Sequence, residues 1–229
     1  MDLGIKDVAE LLNVSENSIY KWIKDGKMPA YLINKQYRFS RNEVENAVFL
    51  HHLGNDQDIL EKFEDSEVLH SVGVKQYGLY RAIHKGLVLN EIKGESKEEI
   101  ISNTMQSVAE DLDLDAFVLT ELLLDRENLM PTALGNGIAV PHTRDFLLDK
   151  HYDAVTVVFL DKPIEYGALD RNPVHTLFFL FACDDKRHLN LLAKIAHLAS
   201  KEDNVRFLKT KPSKQELLEY IKGWEGSSL

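Results

Sequence analysis

The sequence has 229 residues, of which 44% are hydrophobic and 28% are charged. Such a composition is typical of globular proteins that bury a core, and it excludes disordered, collagen-like and disulfide-rich chains. The longest apolar runs, such as residues 177–183, are far shorter than the roughly 20 residues that a membrane helix needs, and the first residues do not form a signal peptide. We therefore expect a cytoplasmic protein without membrane insertion.

The formal net charge of −10 is unevenly distributed along the chain. Residues 1–50 hold seven basic and seven acidic side chains, so the whole excess of negative charge lies beyond residue 50. Between Asn17 and Arg41 there are six bases and one acid, Asp25, which gives a local charge of +5. A basic N-terminal unit joined to an acidic body predicts two domains with different partners.

Two short helices are predicted at the start of the chain. Four apolar residues follow the i, i+3, i+4, i+7 spacing of an amphipathic helix: Ile5, Val8, Ala9 and Leu12. Ser15 is a candidate N-cap for a second helix, which Gly26 ends. Polar and basic residues are expected on or near the exposed side of this second helix: Asn17, Ser18, Tyr20, Lys21 and Lys24.

A hairpin and a third helix are predicted next. The β-prone triplets 31–33 and 37–39 flank residues 34–36, which are typical of a tight turn. Ser40 and Glu43 form a capping box that opens the third helix. Helix, turn, helix, wing and helix follow one another, as in a winged helix-turn-helix domain over residues 1–50.

Three segments of this region, residues 5–15, 18–30 and 37–39, resemble the excisionase-type, MerR-related DNA-binding domain. The resemblance implies duplex DNA as a partner, with the second helix in the major groove and the wing on the backbone or in the minor groove. Six residues on the second helix and the wing are the expected DNA contacts: Asn17, Ser18, Lys21, Lys24, Lys35 and Arg38. The alternative is a small protein-interaction module whose lysines form a solvated face.

The rest of the chain is predicted to consist of a linker and a layered α/β domain. Residues 51–76 are polar and acidic and lack strong periodicity, which predicts a linker with some helical character. Residues 77–229 alternate apolar runs of strand length with helical patterns. Strands are expected near residues 87–92, 138–140, 154–160 and 174–182, and helices over residues 96–111, 115–125 and 186–200 and from Ser213 onward.

Residues 126–142 combine the features of a nucleophilic site. Gly135 and Gly137 permit close backbone approach, and Pro141 fixes a turn that leaves His142 at the tip of a short strand. A neutral imidazole can attack phosphorus, and Arg126 could stabilise the charge of the product. The alternative is that His142 only packs in the core and that Arg126 makes a surface pair.

A second histidine, His188, begins the helix that follows an apolar strand. The carboxyl ends of strands are where α/β folds gather their sites, so we expect His188 to meet His142. The single cysteine, Cys183, lies in an apolar run, which predicts a packing residue and excludes a multi-cysteine metal site. No metal and no cofactor are expected.

Four segments, residues 126–143, 157–164, 169–174 and 188–196, resemble the enzyme IIA domain of the fructose/mannitol and nitrogen-regulatory class of the bacterial phosphotransferase system. The resemblance spans residues 77–224 and implies an α/β (α+β) sandwich. It also implies that His142 accepts a phosphoryl group from a phosphorylated HPr-like phosphocarrier protein, with His188 and Arg126 lining the pocket. The chain would then be a phosphohistidine transfer component rather than a small-molecule enzyme.

Two positions depart from that family's pattern. Thr143 and Arg144 follow the histidine where the family often has glycine, and His175 stands where an acidic residue is usual. A IIB domain and a membrane IIC component do not fit in the 229 residues, so a complete transport chain is excluded.

Together these features predict a regulator in which phosphorylation of His142 controls DNA binding. A phosphoryl group adds about two negative charges, enough to rearrange a basic face or a dimer contact. Two alternatives stay open. One is a phosphocarrier that serves a separate IIB sugar-transport component or a regulatory target, with the N-terminal domain as a protein-interaction module, and the other is control of recombination direction. A single winged domain has a small footprint on DNA, which favours a homodimer.

Overall fold

Helices and a three-stranded antiparallel sheet form the N-terminal part of the chain. The structure is a computed structural model and describes residues 2–12, 14–51, 77–143, 145, 148 and 152–227. In chain order the elements are β1 (Asp2–Gly4), α1 (Ile5–Leu12), α2 (Glu16–Lys24), β2 (Tyr31–Ile33), β3 (Gln36–Ser40) and α3 (Arg41–His51). The predicted helix-turn-helix, wing and third helix are all present. Strand β1 was not predicted; it pairs with β3, whose other edge pairs with β2.

The turn of the wing is shorter than the predicted segment of residues 34–36. Only Asn34 and Lys35 lie between the strands, and both have positive φ angles, 50° and 62°. A two-residue turn of this kind matches the twist of the flanking strands, so Gln36 is already part of β3.

The N-terminus of α2 explains one correction to the predicted exposed face. The hydroxyl of Ser15 accepts the backbone N–H of Ser18 at 3.1 Å, as a helix cap does, and the two hydroxyls lie 3.0 Å apart. Ser18 is therefore buried beside the cap, and its placement on the exposed side of α2 is wrong. Asn17, Lys21 and Lys24 are exposed, as predicted.

The C-terminal part of the chain is built on a five-stranded mixed sheet. Its elements are α4 (Gly78–Lys85), β4 (Val88–Ile92), α5 (Lys97–Leu112), α6 (Ala116–Leu129), β5 (Ala133–Gly135), β6 (Ile138–Ala139), β7 (Ala154–Ile164), β8 (Val174–Phe181), α7 (Asp185–Ala199), α8 (Glu202–Leu208) and α9 (Lys214–Ser227). The strand order is β4-β7-β8-β6-β5. Pairs β4–β7 and β6–β8 are parallel, whereas β7–β8 and β5–β6 are antiparallel.

Helices cover both faces of this sheet, as an α/β sandwich requires. Alternate residues of β7 point to opposite sides, so Val157 belongs to a core cluster with residues of α4, α7 and α9, while Val158 belongs to a second cluster with residues of α5 and α6. The apolar core of the N-terminal helices is continuous with the first of these two layers. Among the described residues, no helix has the length and apolar character that crossing a membrane requires.

The sequence patterns located most of these elements. Ser96 and Asp115 cap α5 and α6, as predicted. Helix α6 continues to Leu129 instead of ending at residue 125, so Arg126 lies on its last turn. Helices α4 and α8 and strand β5 were not predicted. His51 ends α3 and the rest of the predicted linker, residues 52–76, lies outside the described residues, so the proposed domain boundaries stay a prediction.

Candidate functional site

His142 lies just beyond strand β6, where its backbone continues to pair with β8. The carbonyl of Pro141 accepts the N–H of Leu180 at 3.0 Å. The Nδ1 atom of His142 lies 2.7 Å from the carbonyl oxygen of Val140. A carbonyl can only accept, so Nδ1 carries a proton, and Nε2 is the ring nitrogen that faces the pocket.

Arg126 approaches the same nitrogen from the last turn of α6. Its Nε lies 3.2 Å from Nε2 of His142, and its side chain is buried. A further N–H of the guanidinium donates to the carbonyl of Met130 at 3.0 Å, which fixes the plane of the group. The predicted meeting of Arg126 and His142 is therefore present in the structure.

The neighbouring residue, Glu127, ties α6 to the segment that leads to His142. Its buried carboxylate accepts the backbone N–H of Thr132 at 3.1 Å and the Thr132 hydroxyl at 2.6 Å. The carbonyl of Thr132 accepts the N–H of Val140 at 2.9 Å. Burial raises the pKa of Glu127, against the hydrogen bonds from Thr132. Sequence reasoning did not identify this residue.

His188 completes the predicted group. It lies on the first turn of α7, which Asp184 caps, and its ring centroid is 5.0 Å from that of His142 at an angle of 64°. Burial lowers the pKa of His188 well below its ordinary value, and the nearby His142 lowers it further. A neutral imidazole therefore stands beside His142.

A fourth residue of the pocket, Glu45, comes from α3 of the N-terminal region. Its Oε1 atom lies 2.9 Å from Nε2 of His142 and 2.8 Å from an Nη atom of Arg126, and its exposed fraction is 0%. Sequence reasoning missed Glu45 because 97 residues separate it from His142. One sequence feature could have drawn notice, an acidic residue between the apolar positions Val44 and Val48 of the same helix.

The hydrogen bonds of His142 determine its protonation in this arrangement. The carbonyl of Val140 at Nδ1 and the carboxylate of Glu45 at Nε2 are both acceptors. Both bonds form only if both ring nitrogens carry protons, so we assign an imidazolium to His142 from its partners. The Nε–H of Arg126, 3.1 Å from Oε1 of Glu45, then donates to the carboxylate.

The charge of Glu45 follows from the same contacts. Burial by itself raises the pKa of this carboxyl, but the hydrogen bond with His142 and the charges of His142, His188 and Arg126 hold it well below the usual range. Glu45 is thus a buried carboxylate surrounded by nitrogen groups.

The donor atoms of Glu45, His142 and His188 lie within 4.8 Å of one another, which is close enough for a metal ion. The guanidinium of Arg126 contacts two of these three residues and would repel a cation placed among them. The pocket therefore suits an anion better than a metal.

The turn between β5 and β6 brings His175 against Gly137. Gly137 has a φ of 78°, and a Cβ atom there would lie 2.4 Å from the ring of His175. The backbone N–H of His175 also donates to the carbonyl of Gly137 at 2.8 Å. His175 thus packs on the hairpin that precedes His142.

The residues predicted to contact DNA differ in exposure. Lys35 is exposed at the tip of the wing, whereas Arg38 is half-buried and donates to the side chain of Gln36 at 3.0 Å. Lys21 and Lys24 are exposed on α2. Of the predicted DNA contacts on α2, Asn17 and the two lysines are exposed and Ser18 is not.

The chain matches two known domain families. Residues 81–224 match the family described as "Phosphoenolpyruvate-dependent sugar phosphotransferase system, EIIA 2". The chain belongs to this family. Residues 3–47 match a helix-turn-helix domain, so a helix-turn-helix unit precedes the EIIA domain.

Relatives of the EIIA domain include two regulatory proteins. The chain is 33% identical over 146 residues to the nitrogen regulatory protein of Pseudomonas aeruginosa, which covers 62% of this chain and 94% of that protein. It is 32% identical over 152 residues to the nitrogen regulatory protein of Escherichia coli K12, or 65% of this chain and 92% of that protein. The mannitol-specific phosphotransferase enzyme IIA component of Bacillus subtilis is 27% identical over 124 residues, which are 54% of this chain and 84% of that protein.

The fold is that of solved EIIA structures. The nitrogen regulatory protein IIA-Ntr of Neisseria meningitidis superposes with a TM-score of 0.54 at 26% identity, over 60% of this chain and 93% of that one. A putative IIA domain from Streptococcus pyogenes superposes with a TM-score of 0.55 at 18% identity, over 65% of this chain and 97% of that one. At this level of identity the likeness shows the fold alone.

Proposed function

We propose that this protein accepts a phosphoryl group on Nε2 of His142 from a phosphorylated HPr-like phosphocarrier and that the modification controls DNA binding by the helix-turn-helix domain. The observation that carries the first part is the orientation of His142. The Val140 carbonyl holds the proton on Nδ1, and Nε2 faces a buried guanidinium. Once that face is open to a donor, a neutral ring presents a lone pair on Nε2.

Before transfer, the Nε2 proton that His142 carries beside Glu45 must leave to solvent as the pocket opens. The Nε2 lone pair forms a bond to phosphorus, and the bond between phosphorus and the donor's histidine nitrogen breaks, leaving its electron pair on the donor. The Nδ1 proton of His142 stays on that nitrogen throughout, donated to the carbonyl oxygen of Val140. The hydrogen bond to this carbonyl thus orients the nucleophile and sets its tautomer.

Arg126 and His188 have different roles in the proposal. The guanidinium next to Nε2 is placed to stabilise the negative charge of the phosphoryl oxygens during transfer. His188 stands neutral beside His142 and can donate a hydrogen bond without adding a charge.

Cys183, the single thiol, is buried, and burial raises its pKa to about 11, which leaves it a packing residue as predicted.

The experiment is phosphorylation of the full chain with phosphoenolpyruvate, enzyme I and an HPr-type phosphocarrier. Wild type should incorporate acid-labile, base-stable phosphate, and His142→Ala should incorporate none. His188→Ala should keep the nucleophile and slow the transfer. Stoichiometric incorporation in the His142→Ala protein would show that another residue is the acceptor.

The DNA-binding part of the proposal rests on the helix-turn-helix match and on the exposed charge of its second helix and wing. Lys21, Lys24 and Lys35 are exposed and lie in the segment with a local charge of +5. Lysines of this kind bind phosphates and release counterions. A single small domain has a modest footprint, so the proposal includes a homodimer on DNA.

Selection of binding sites from random duplex DNA, followed by affinity measurements with unphosphorylated and phosphorylated protein, tests this part. A change of several-fold in affinity on phosphorylation would support control of DNA binding. Equal affinities of the two forms would contradict it, and the absence of salt-dependent DNA retention would favour the protein-interaction alternative.

A second candidate is favoured by one comparison. The Bacillus subtilis relative carries the name of a mannitol-specific phosphotransferase IIA component, so this chain could likewise pass its phosphoryl group to a separate IIB protein. Rapid loss of phosphate from His142 on addition of a IIB component, without any effect on DNA affinity, would support that candidate.

A further inference from the structure

The two parts of the chain contact each other directly around the pocket. Helices α1 and α3 pack against α7, and their buried apolar residues form one continuous cluster with those of α7. Arg41 of α3 pairs with Asp185 at 2.7 Å, and Glu10 of α1 pairs with Lys186 at 3.2 Å. Apolar contact surrounded by ion pairs is the pattern of an interface within a chain.

This contact closes the pocket. His142 has an exposed fraction of 0%, and Arg126 and His188 are also buried. A phosphocarrier must bring phosphorus within bonding distance of Nε2 of His142. In the arrangement described here, the carboxylate of Glu45 lies in that path, 2.9 Å from Nε2.

The Glu45 carboxylate makes the contacts that suit a phosphoryl group. One of its oxygens lies 2.8 Å and 3.1 Å from two nitrogens of Arg126 and 2.9 Å from the nucleophilic nitrogen. An anion held by charge-assisted hydrogen bonds to a guanidinium and an imidazolium resembles a bound phosphate group in charge and in acceptor geometry.

We infer, on the basis of the proposed phosphorylation of His142, that the phosphoacceptor pocket is also a binding site for the carboxylate of Glu45. In the closed state, α3 of the helix-turn-helix domain occupies the pocket; in the open state, the pocket receives the phosphocarrier. The closed state prevents phosphorylation in two ways, since it buries Nε2 of His142 and places a proton on that atom.

Phosphorylation and docking therefore exclude each other. A phosphoryl group on Nε2 occupies the position of the Glu45 carboxylate, and its negative charge repels that carboxylate. Phosphorylation in the open state thus keeps α3 out of the pocket and frees α1 and α3 from α7. Asn17, Lys21 and Lys24 are already exposed on α2 in the closed state, so opening does not uncover them. Opening instead changes where the acidic EIIA domain lies relative to the DNA-binding unit.

Rates of phosphorylation of full-length variants test this inference. Glu45→Ala and Glu45→Gln are compared with wild type at limiting phosphocarrier. Glu43→Gln is the matched control, because it removes a charge from the same helix but contacts Tyr31 instead of the pocket. Arg41→Gln loosens the interface without touching His142.

Loss of a buried hydrogen bond to a charged group is expected to accelerate phosphorylation about ten-fold or more in Glu45→Ala. Glu45→Gln and Arg41→Gln should give smaller accelerations, and Glu43→Gln should behave as wild type. If Glu45→Ala is phosphorylated no faster than wild type, the inference is overturned while the proposed function stands.

A second measurement does not use phosphotransfer. Diethyl pyrocarbonate acylates unprotonated, accessible imidazole nitrogens, and mass spectrometry locates the product. His142 should be protected in wild type and in Glu43→Gln and become reactive in Glu45→Ala. If no variant accepts phosphate yet this protection pattern holds, the proposed function fails and the Glu45 site stands; equal reactivity in all three proteins would overturn the site.

Discussion

Oε1 of Glu45 lies 2.9 Å from Nε2 of His142, although one residue belongs to a helix-turn-helix domain and the other to an EIIA domain. Both atoms are completely buried within this contact. A carboxylate and an imidazolium at this distance form a charge-assisted hydrogen bond, and the buried Arg126 strengthens it from the other side. The two domains are therefore joined at the atom that is proposed to carry the phosphoryl group.

Arg126 is expected to act in both the closed and the open state. Arg126→Lys keeps the positive charge but loses the planar fork that contacts Glu45 and His142, so phosphotransfer should slow about 10-fold to 100-fold in a Glu45→Ala background. When Glu45 is present, Arg126→Lys should slow phosphotransfer less, because the substitution also weakens the binding of Glu45 and so opens the pocket. Initial rates of the four proteins of this double-mutant cycle measure the difference. Equal losses in both backgrounds would contradict the shared role.

Gly137 is expected to be indispensable for the turn before His142. Gly137→Ala requires a side chain at a φ of 78° and a Cβ atom 2.4 Å from the His175 ring, so the free energy of unfolding should fall by about 1–3 kcal/mol. Urea unfolding followed by circular dichroism measures the change. Gly223→Ala is the control, since a Cβ there meets no atom within 4 Å and its helix should be unaffected or stabilised.

His175 should make the fold sensitive to acid. Burial, together with the charge of Lys209, lowers the pKa of this imidazole to about 4 in the folded protein. Between about pH 6.5 and pH 4, His175 binds a proton more readily in the unfolded chain than in the folded protein. The contribution of neutral His175 to the free energy of unfolding is therefore fully present above about pH 6.5 and is lost as the pH falls towards about 4. His175→Gln should reduce the loss of unfolding free energy over this range, by less than about 1.4 kcal/mol per pH unit because the ring is partly exposed. Urea unfolding at pH 7 and pH 4.5 compares the two proteins, and identical pH dependence would contradict the assignment.

Lys35 and Asn17 are expected to affect DNA binding differently. Lys35 lies at the wing tip with a φ of 62°, so Lys35→Asn removes the charge without straining the turn. Affinity for all sequences should fall alike, and the slope of log affinity against log salt should decrease by about 1. Asn17→Ala should instead change the preference among sites. Ser18→Ala should leave the preference unchanged, because the Ser18 hydroxyl is buried against Ser15.

Glu225 is expected to hold together two elements that are distant in the sequence. Its carboxylate accepts the backbone N–H groups of Leu79 and Tyr80 at 3.1 Å and 2.9 Å, at the start of α4, and it pairs with Lys194. Glu225→Gln should lower the free energy of unfolding by about 1–3 kcal/mol, because two buried donors and an ammonium lose a charged acceptor. Thermal unfolding measures this effect, with Glu219→Gln on the exposed side of the same helix as the control. Equal melting temperatures of the two variants would contradict it.

Local patterns in the sequence located the elements that carry the site. Helix α2 and the caps of α5 and α6 follow from side chains within four residues of the bonds they make, so spacing alone identifies them. His142 and His188 were also found in this way, because glycine, proline and strand-end positions restrict the backbone locally. Helix α4 was missed, since its start has no local side-chain cap and the acceptor for its first N–H groups is the distant Glu225. Strand β5 was missed although its partner, β6, follows after a two-residue turn.

The role of α3 could be found only from the tertiary structure. By its sequence, Glu45 is one more acid on a short amphipathic helix, and neither periodicity nor capping relates it to a histidine 97 positions away. Packing of α1 and α3 on α7 brings the carboxylate into the pocket, and burial there makes the pairing with Arg126 and His142 strong. The sequence by itself was enough to single out His142 as the proposed phosphoryl acceptor, because a nucleophile's chemistry is local. The packing of distant helices decided what lies against it, because a buried ion pair exists only where the fold removes water from both partners.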